Sequence, residues 1–134
     1  MSKGRVLQVE DNPDDIELSS LAFKEGNFPH QVDIARDGQE ALDFLAAARD
    51  LPVLVLLDLN LPKIGGLEVL RRVRADPRLK MLRVVVLSGS DEPTDKKEAQ
   101  RLGVERFFTK PVGLDGFVKI VQELEGLLSR RAAP

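Results

Sequence analysis

Five aliphatic side chains in a row, Val53-Leu54-Val55-Leu56-Leu57, stop abruptly at a carboxylate, Asp58. Side chains along a strand alternate between two faces, so an unbroken apolar run needs both faces covered. Parallel sheets packed between helices provide that environment. The chain repeats strand and helix signals around this run. Residues 5–9, 31–35, 83–87 and 104–108 read as further strands. Helices are expected over residues 13–25, 37–48 and 92–102, with Leu67, Leu70 and Val73 marking a third face and Leu114, Phe117, Val121, Leu124 and Leu128 a final one. Asn12 is placed to cap the first helix, Pro13 suits its first position, and Gly26 and Gly103 serve as exits. Five β-then-α units imply an α/β fold with a parallel sheet covered on both sides.

With 134 residues, the length suits one domain over residues 1–134, its core running from about residue 4 to about residue 129. A formal charge of −2 argues against nucleic acid as a main partner, although Arg71-Arg72 and Arg130-Arg131 form local basic pairs. Cysteine is absent, which excludes disulfides and thiol chemistry and fits a cytoplasmic protein. No apolar run reaches membrane-spanning length, and the acidic pair Glu10-Asp11 comes too early for a signal peptide. The single histidine, His30, follows Pro29 in an expected surface turn and cannot form a histidine metal cluster.

Four of the five expected strands finish on loaded residues: Glu10-Asp11, Asp58, Ser88 and Lys110. Right-handed crossovers place these ends on one edge of the sheet, where open α/β folds bind ligands. Close carboxylates repel by about 4 kcal/mol per pair at an effective dielectric of about 20, so a cation is expected among them. Mg²⁺ suits this all-oxygen set: Asp11, Glu10 directly or through water, Asp58 and the Asn60 carbonyl. Asp58 is the candidate nucleophile, since carboxylates attack phosphorus to give acyl phosphates. Lys110 is placed to pair with Asp58 or a phosphoryl group, and Pro111 holds it extended; a cis bond there would turn the side chain inward. Ser88 offers a hydroxyl, with Gly89 leaving the approach open, and Asn60 and Ser90 flank the site. Asp14, Asp15 and Glu17 read only as helix-dipole complements and are given no chemistry.

These pieces resemble the receiver domain of two-component response regulators, on V-E-D-N-P (Val9 to Pro13), L-L-D-L-N-L-P (Leu56 to Pro62), V-V-L-S-G-S (Val85 to Ser90) and F-F-T-K-P (Phe107 to Pro111). The resemblance implies a doubly wound, flavodoxin-like (βα)5 sheet in the order 2-1-3-4-5. It implies phosphorylation of Asp58 by a sensor histidine kinase with Mg²⁺ on Glu10, Asp11, Asp58 and Asn60. Ser88 is then the switch hydroxyl, Phe107 the aromatic switch and Lys110 the phosphate contact. Phe107 stands where tyrosine is commoner, Ser88 where threonine is commoner, and Gly65-Gly66 where Asp-Gly is frequent, the last a backbone matter.

N-P-D-D, the Phe44 region and the Ser-Gly-Ser loop look closest to small stand-alone regulators paired with phytochrome-type histidine kinases. The resemblance extends to a homodimer through the fourth helix, fifth strand and fifth helix, with Phe108 either in that surface or under the last helix. Onward transfer to a histidine of a phosphotransfer protein is a further implied output. Such a chain is a phosphoacceptor that slowly loses its own phosphoryl group, not a dedicated metabolic enzyme. Two other classes use the same residues: an inert interaction module of receiver fold, and an Asp-nucleophile phosphohydrolase. The latter wants an acid two positions after the nucleophile, where this chain has Asn60, and a cap the chain has no insertion to build.

Overall fold

The apolar run forms the middle strand of the sheet. The computed structural model describes residues 4–89 and 92–129; Ser90 and Arg130-Arg131 lie outside the described residues. In chain order the elements are β1 (Val6–Val9), α1 (Pro13–Glu25), β2 (Val32–Ala35), α2 (Gly38–Ala47), β3 (Leu54–Leu57), α3 (Gly66–Ala75), β4 (Val84–Ser88), α4 (Pro93–Arg101), β5 (Arg106–Thr109) and α5 (Leu114–Ser129). All four strand pairings are parallel, in the order β2-β1-β3-β4-β5, the expected flavodoxin-like arrangement.

Strand alternation divides the core in two. Leu7, Val9, Val55, Leu57, Val84 and Val86 pack with residues of α2, α3 and α4 such as Leu45, Leu70 and Ala99. Val6, Leu54, Leu56, Val85 and Leu87 pack with Phe23 of α1 and Phe117, Val121 and Leu124 of α5. Every residue of β1, β3 and β4 is buried, whereas the outer strands β2 and β5 are only partly covered. Among the described residues, no helix is long and apolar enough to cross a membrane.

Local chemistry sets the boundaries. The Asn12 side chain accepts the Asp14 and Asp15 N–H groups, capping α1 as expected. Asp37 accepts the Glu40 N–H at 2.7 Å and therefore caps α2 rather than opening it. The fifth strand starts later than the expected residue 104. Gly103 takes a left-handed turn at φ +78, and the Val104 N–H is still bonded to Ala99 O, so the chain has not yet left the helix exit.

His30 is half-buried rather than a plain surface residue, its Nδ1 lying 2.7 Å from Gly4 O and its ring beside Phe28. Gly65-Gly66 divides into two cases. A Cβ at Gly66 would collide with the Asp58 carbonyl and Leu59 Cα, whereas one at Gly65 would meet only an ordinary contact with Leu59 O at 3.9 Å. Glycine at 66 lets α3 start directly against the loop that carries Asp58.

Candidate functional site at the carboxyl edge of the sheet

β1 and β3 are adjacent, in register from Val6 opposite Leu54 to Val9 opposite Leu57. The residues that follow, Glu10 and Asp58, therefore emerge side by side. Both are buried, at 2 % and 3 % exposure. Two buried carboxylates so close need a counter-charge, and Lys110 provides it from beyond β5. Its Nζ lies 3.1 Å from Asp58 Oδ2 and 2.9 Å from Glu10 Oε1. The same Nζ donates to Asp15 Oδ2 at 2.8 Å.

Asp15 is the residue sequence reasoning missed. Its place in the first helical turn suggests only a dipole complement, yet it completes the lysine's acidic cage. The available signal was position: the first turn of a helix that follows β1 sits at the same sheet edge as Glu10.

Backbone donors fix the carboxylates. The Asn60 N–H donates to Asp58 Oδ1 at 3.0 Å, and the Asn12 N–H to Glu10 Oε2 at 3.2 Å. Asn60 thus reaches Asp58 through its own backbone. The Lys110 N–H donates to Ser88 O at 2.8 Å, which ties the ends of β4 and β5 together. Ser88 is fully buried at the end of β4. A Cβ at Gly89 would be 4.0 Å from Lys110 Cδ, so this side of the site stays open. No cis peptide occurs among the described residues, and Lys110 turns inward on a trans bond to Pro111.

Burial pushes the Glu10 carboxyl from an ordinary 4.5 up to about 7; hydrogen bonds from Lys110 and Asn12 oppose the rise, and the Asp58 charge adds to it. Burial works against the Lys110 charge, but Asp15, Glu10 and Asp58 outweigh it and hold the ammonium above the usual lysine range.

Glu10, Asp11 and Asp58 each offer an oxygen, and these atoms lie within 4.8 Å of one another. Opposite ligands of an octahedral ion with bonds of about 2.1 Å stand about 4.2 Å apart, so the set can enclose one hard divalent cation. The donors are all oxygen, and Lys110 meets three acids, Glu10, Asp15 and Asp58, with Asp11 beside them, an excess of negative charge that such an ion would balance. The residues fit a Mg²⁺- or Mn²⁺-type ion.

Phe107 and Phe108 point to opposite sides of the sheet. Phe107 is partly buried against the α2–α4 core, with Lys96 Nζ 5.9 Å from its ring centroid. Phe108 packs against the α1–α5 core, and the Arg106 guanidinium lies 4.8 Å from its ring centroid. Of the two places expected for Phe108, the structure supplies the one under the last helix.

Comparison with known proteins agrees with this geometry. Response regulator Rcp1 of Synechocystis sp. is 38 % identical over 125 residues, covering 90 % of this chain and 85 % of that protein. The Mn²⁺-bound form of Rcp1 superposes with a TM-score of 0.86 at 36 % identity, over 98 % of this chain and 99 % of that one. The phosphorylated cyanobacterial phytochrome response regulator RcpA has a TM-score of 0.88 at 38 % identity, covering 98 % of each chain. The bacteriophytochrome response regulator AtBRR has a TM-score of 0.79 at 38 % identity, covering 100 % of this chain and 98 % of that one. Residues 6–122 match the response regulator receiver domain, and the chain belongs to that family.

Proposed function

We propose that this chain is a stand-alone response regulator that takes a phosphoryl group onto Asp58 from a sensor histidine kinase, working in the cytoplasm as one receiver domain. The observation that carries the reading is the buried Asp58 carboxylate, bonded to Lys110 and set beside Glu10 with an acid-rich rim. One Asp58 oxygen attacks the phosphorus of a phosphohistidine, the P–N bond breaks, and its electron pair leaves on the imidazole nitrogen. Glu10, Asp11, Asp58 and the Asn60 carbonyl would hold a divalent cation, whose charge would screen that of the incoming phosphoryl oxygens.

Lys110 moves no proton. Its Nζ, already held by three carboxylates, exchanges part of that contact for a phosphoryl oxygen. Ser88 donates its hydroxyl to another phosphoryl oxygen from the end of β4. Motion of Ser88 leaves room that half-buried Phe107 can fill, biasing the surface of α4, β5 and α5 toward a second conformation. Lacking a phenolic hydroxyl, Phe107 makes this switch depend on packing alone.

RcpA is a phytochrome response regulator and AtBRR a bacteriophytochrome response regulator, and the similarity to them supports a phytochrome-type kinase as the donor. Pairing of two copies through α4, β5 and α5, or onward transfer to a histidine of a phosphotransfer protein, would carry the signal. An Asp-nucleophile phosphohydrolase is disfavoured because position 60 supplies a backbone N–H to Asp58 and no side-chain acid.

Intact mass after incubation with acetyl phosphate, with and without Mg²⁺, tests the reading. One added phosphoryl group that requires both the metal and Asp58 supports it. Failure to gain mass, together with failure to form a stable beryllofluoride complex, would leave an inert interaction module instead.

A further inference from the structure

The opposite edge of the sheet carries concentrated charge of the other sign. Where β4 and β5 begin, Arg74, Lys80, Arg83 and Arg101 line a shallow cleft of about 460 Å³ that Glu105 also borders. On a chain of net charge −2, this is a local positive excess.

The cations differ in what they are free to do. Arg74 is committed to the frame: its guanidinium donates to the carbonyls of Leu102 at 2.6 Å, Leu82 at 2.7 Å, Lys80 at 2.9 Å and Gly103 at 3.3 Å. Arg83 engages Glu105 through Nε and Nη2, and Arg101 engages Glu98 through the same pair of atoms. Each of these two keeps an Nη1 without a hydrogen-bond partner among the described residues, as does the Lys80 Nζ. Between them stands Met81, 83 % exposed. A flexible, polarizable thioether in that position accommodates aliphatic groups of varied shape.

We infer that this cleft is a docking surface for an acidic segment of a partner protein that also carries an aliphatic side chain. Carboxylates of the segment meet Lys80, Arg83 and Arg101, and the aliphatic group lies on Met81. The four hydrogen bonds of Arg74 hold the walls in place beforehand, so little ordering is needed when the segment arrives. Charge attraction steers the encounter and makes it salt-dependent. Nucleic acid fits less well, because among the described residues no aromatic ring lines the cleft to stack on a base.

The test is a backbone amide chemical-shift titration of the whole chain with a capped peptide of alternating glutamate and leucine. Saturable shifts are expected at residues 80–83 and 101–105, shrinking as salt is added. Lys80→Glu/Arg101→Glu should weaken binding about tenfold. Lys80→Glu alone, at an exposed position, should weaken it measurably and covers a folding defect in the double variant. Met81→Ser should weaken binding severalfold while the beryllofluoride response at the far edge is unchanged. The inference is overturned by absence of saturable shifts at millimolar peptide, or by wild-type affinity in Met81→Ser. Equal shifts with inorganic pyrophosphate or a single-stranded oligonucleotide would also overturn it, leaving a general anion patch.

Discussion

The two edges of this sheet use charge in opposite ways. At the carboxyl edge, Glu10 and Asp58 are buried beside a single lysine, and the cluster keeps more acid than base. At the amino edge, two guanidinium groups are satisfied by carbonyls: Arg74 serves the chain leaving α4, and Arg78 donates to Leu45 O and Ala48 O at the end of α2, while Arg83 and Arg101 pair with Glu105 and Glu98. One edge is under electrostatic tension that a cation or phosphoryl group can relieve. The other is stapled by Arg74 and Arg78. A charged residue near a strand end therefore says little until its partners are known, because a neutral carbonyl partner leads to structure and a like-charged neighbour to reactivity.

Substitutions at each edge should separate these roles. Asp58→Asn should abolish phosphoryl incorporation from acetyl phosphate while leaving the fold intact, read by intact mass and circular dichroism. Arg74→Met should do the reverse. It strips a charged donor from four carbonyls, and a loss of about 2–3 kcal/mol in urea unfolding is expected; phosphorylation of the folded fraction should persist. A Arg74→Met variant as stable as the parent would dissolve the contrast.

Gly66→Ala should cost about 1–3 kcal/mol, because the added methyl meets the Asp58 carbonyl and Leu59 and one of them must shift. Gly65→Ala, one residue away, has room and should be close to neutral. Equal losses in the two variants would show that the close approach of α3 to the Asp58 loop is unimportant.

The smallest effect sharpens the electrostatic side. The Glu10 carboxyl is raised from 4.5 to about 7, so between these values the metal-free folded state holds a proton that the unfolded state has released. Its contribution to stability is fully present below the lower value and is lost as pH rises through about 7. Divalent cation binding has the opposite slope, since it needs the deprotonated carboxylate. The rise in melting temperature on adding Mg²⁺ should therefore be larger at pH 8 than at pH 6, and Glu10→Gln should flatten that difference.

Much of the architecture was readable in the chain. The apolar run before Asp58 demanded two covered faces, and β3 has them. Capping by Asn12 follows from an oxygen at the position where helix N–H groups are unpaired. The start of β5 was not readable, because Val104 is a good strand residue whose N–H is claimed by Ala99 O across the Gly103 turn. At the site, Glu10, Asp58 and Lys110 were identified from their places at strand ends, and they meet. Asp15 was not, since its helix-terminal position already accounted for an acid, and only the reach of Lys110 from 95 residues away gives it a second role. Neither Arg74 nor Arg78 stood out in a helix and loop rich in basic residues.

Sequence alone determined the strand and helix alternation, the two-sided burial of the central strand and the edge to which the candidate site residues belong. These follow from side-chain period and the handedness of crossovers, which act locally or on every chain alike. Tertiary structure decided which acids share Lys110, which arginines are spent on carbonyls, and to which core Phe107 and Phe108 belong. Those outcomes depend on distances of a few ångströms between residues remote in sequence, and hydrogen bonds and charges change their meaning over that range.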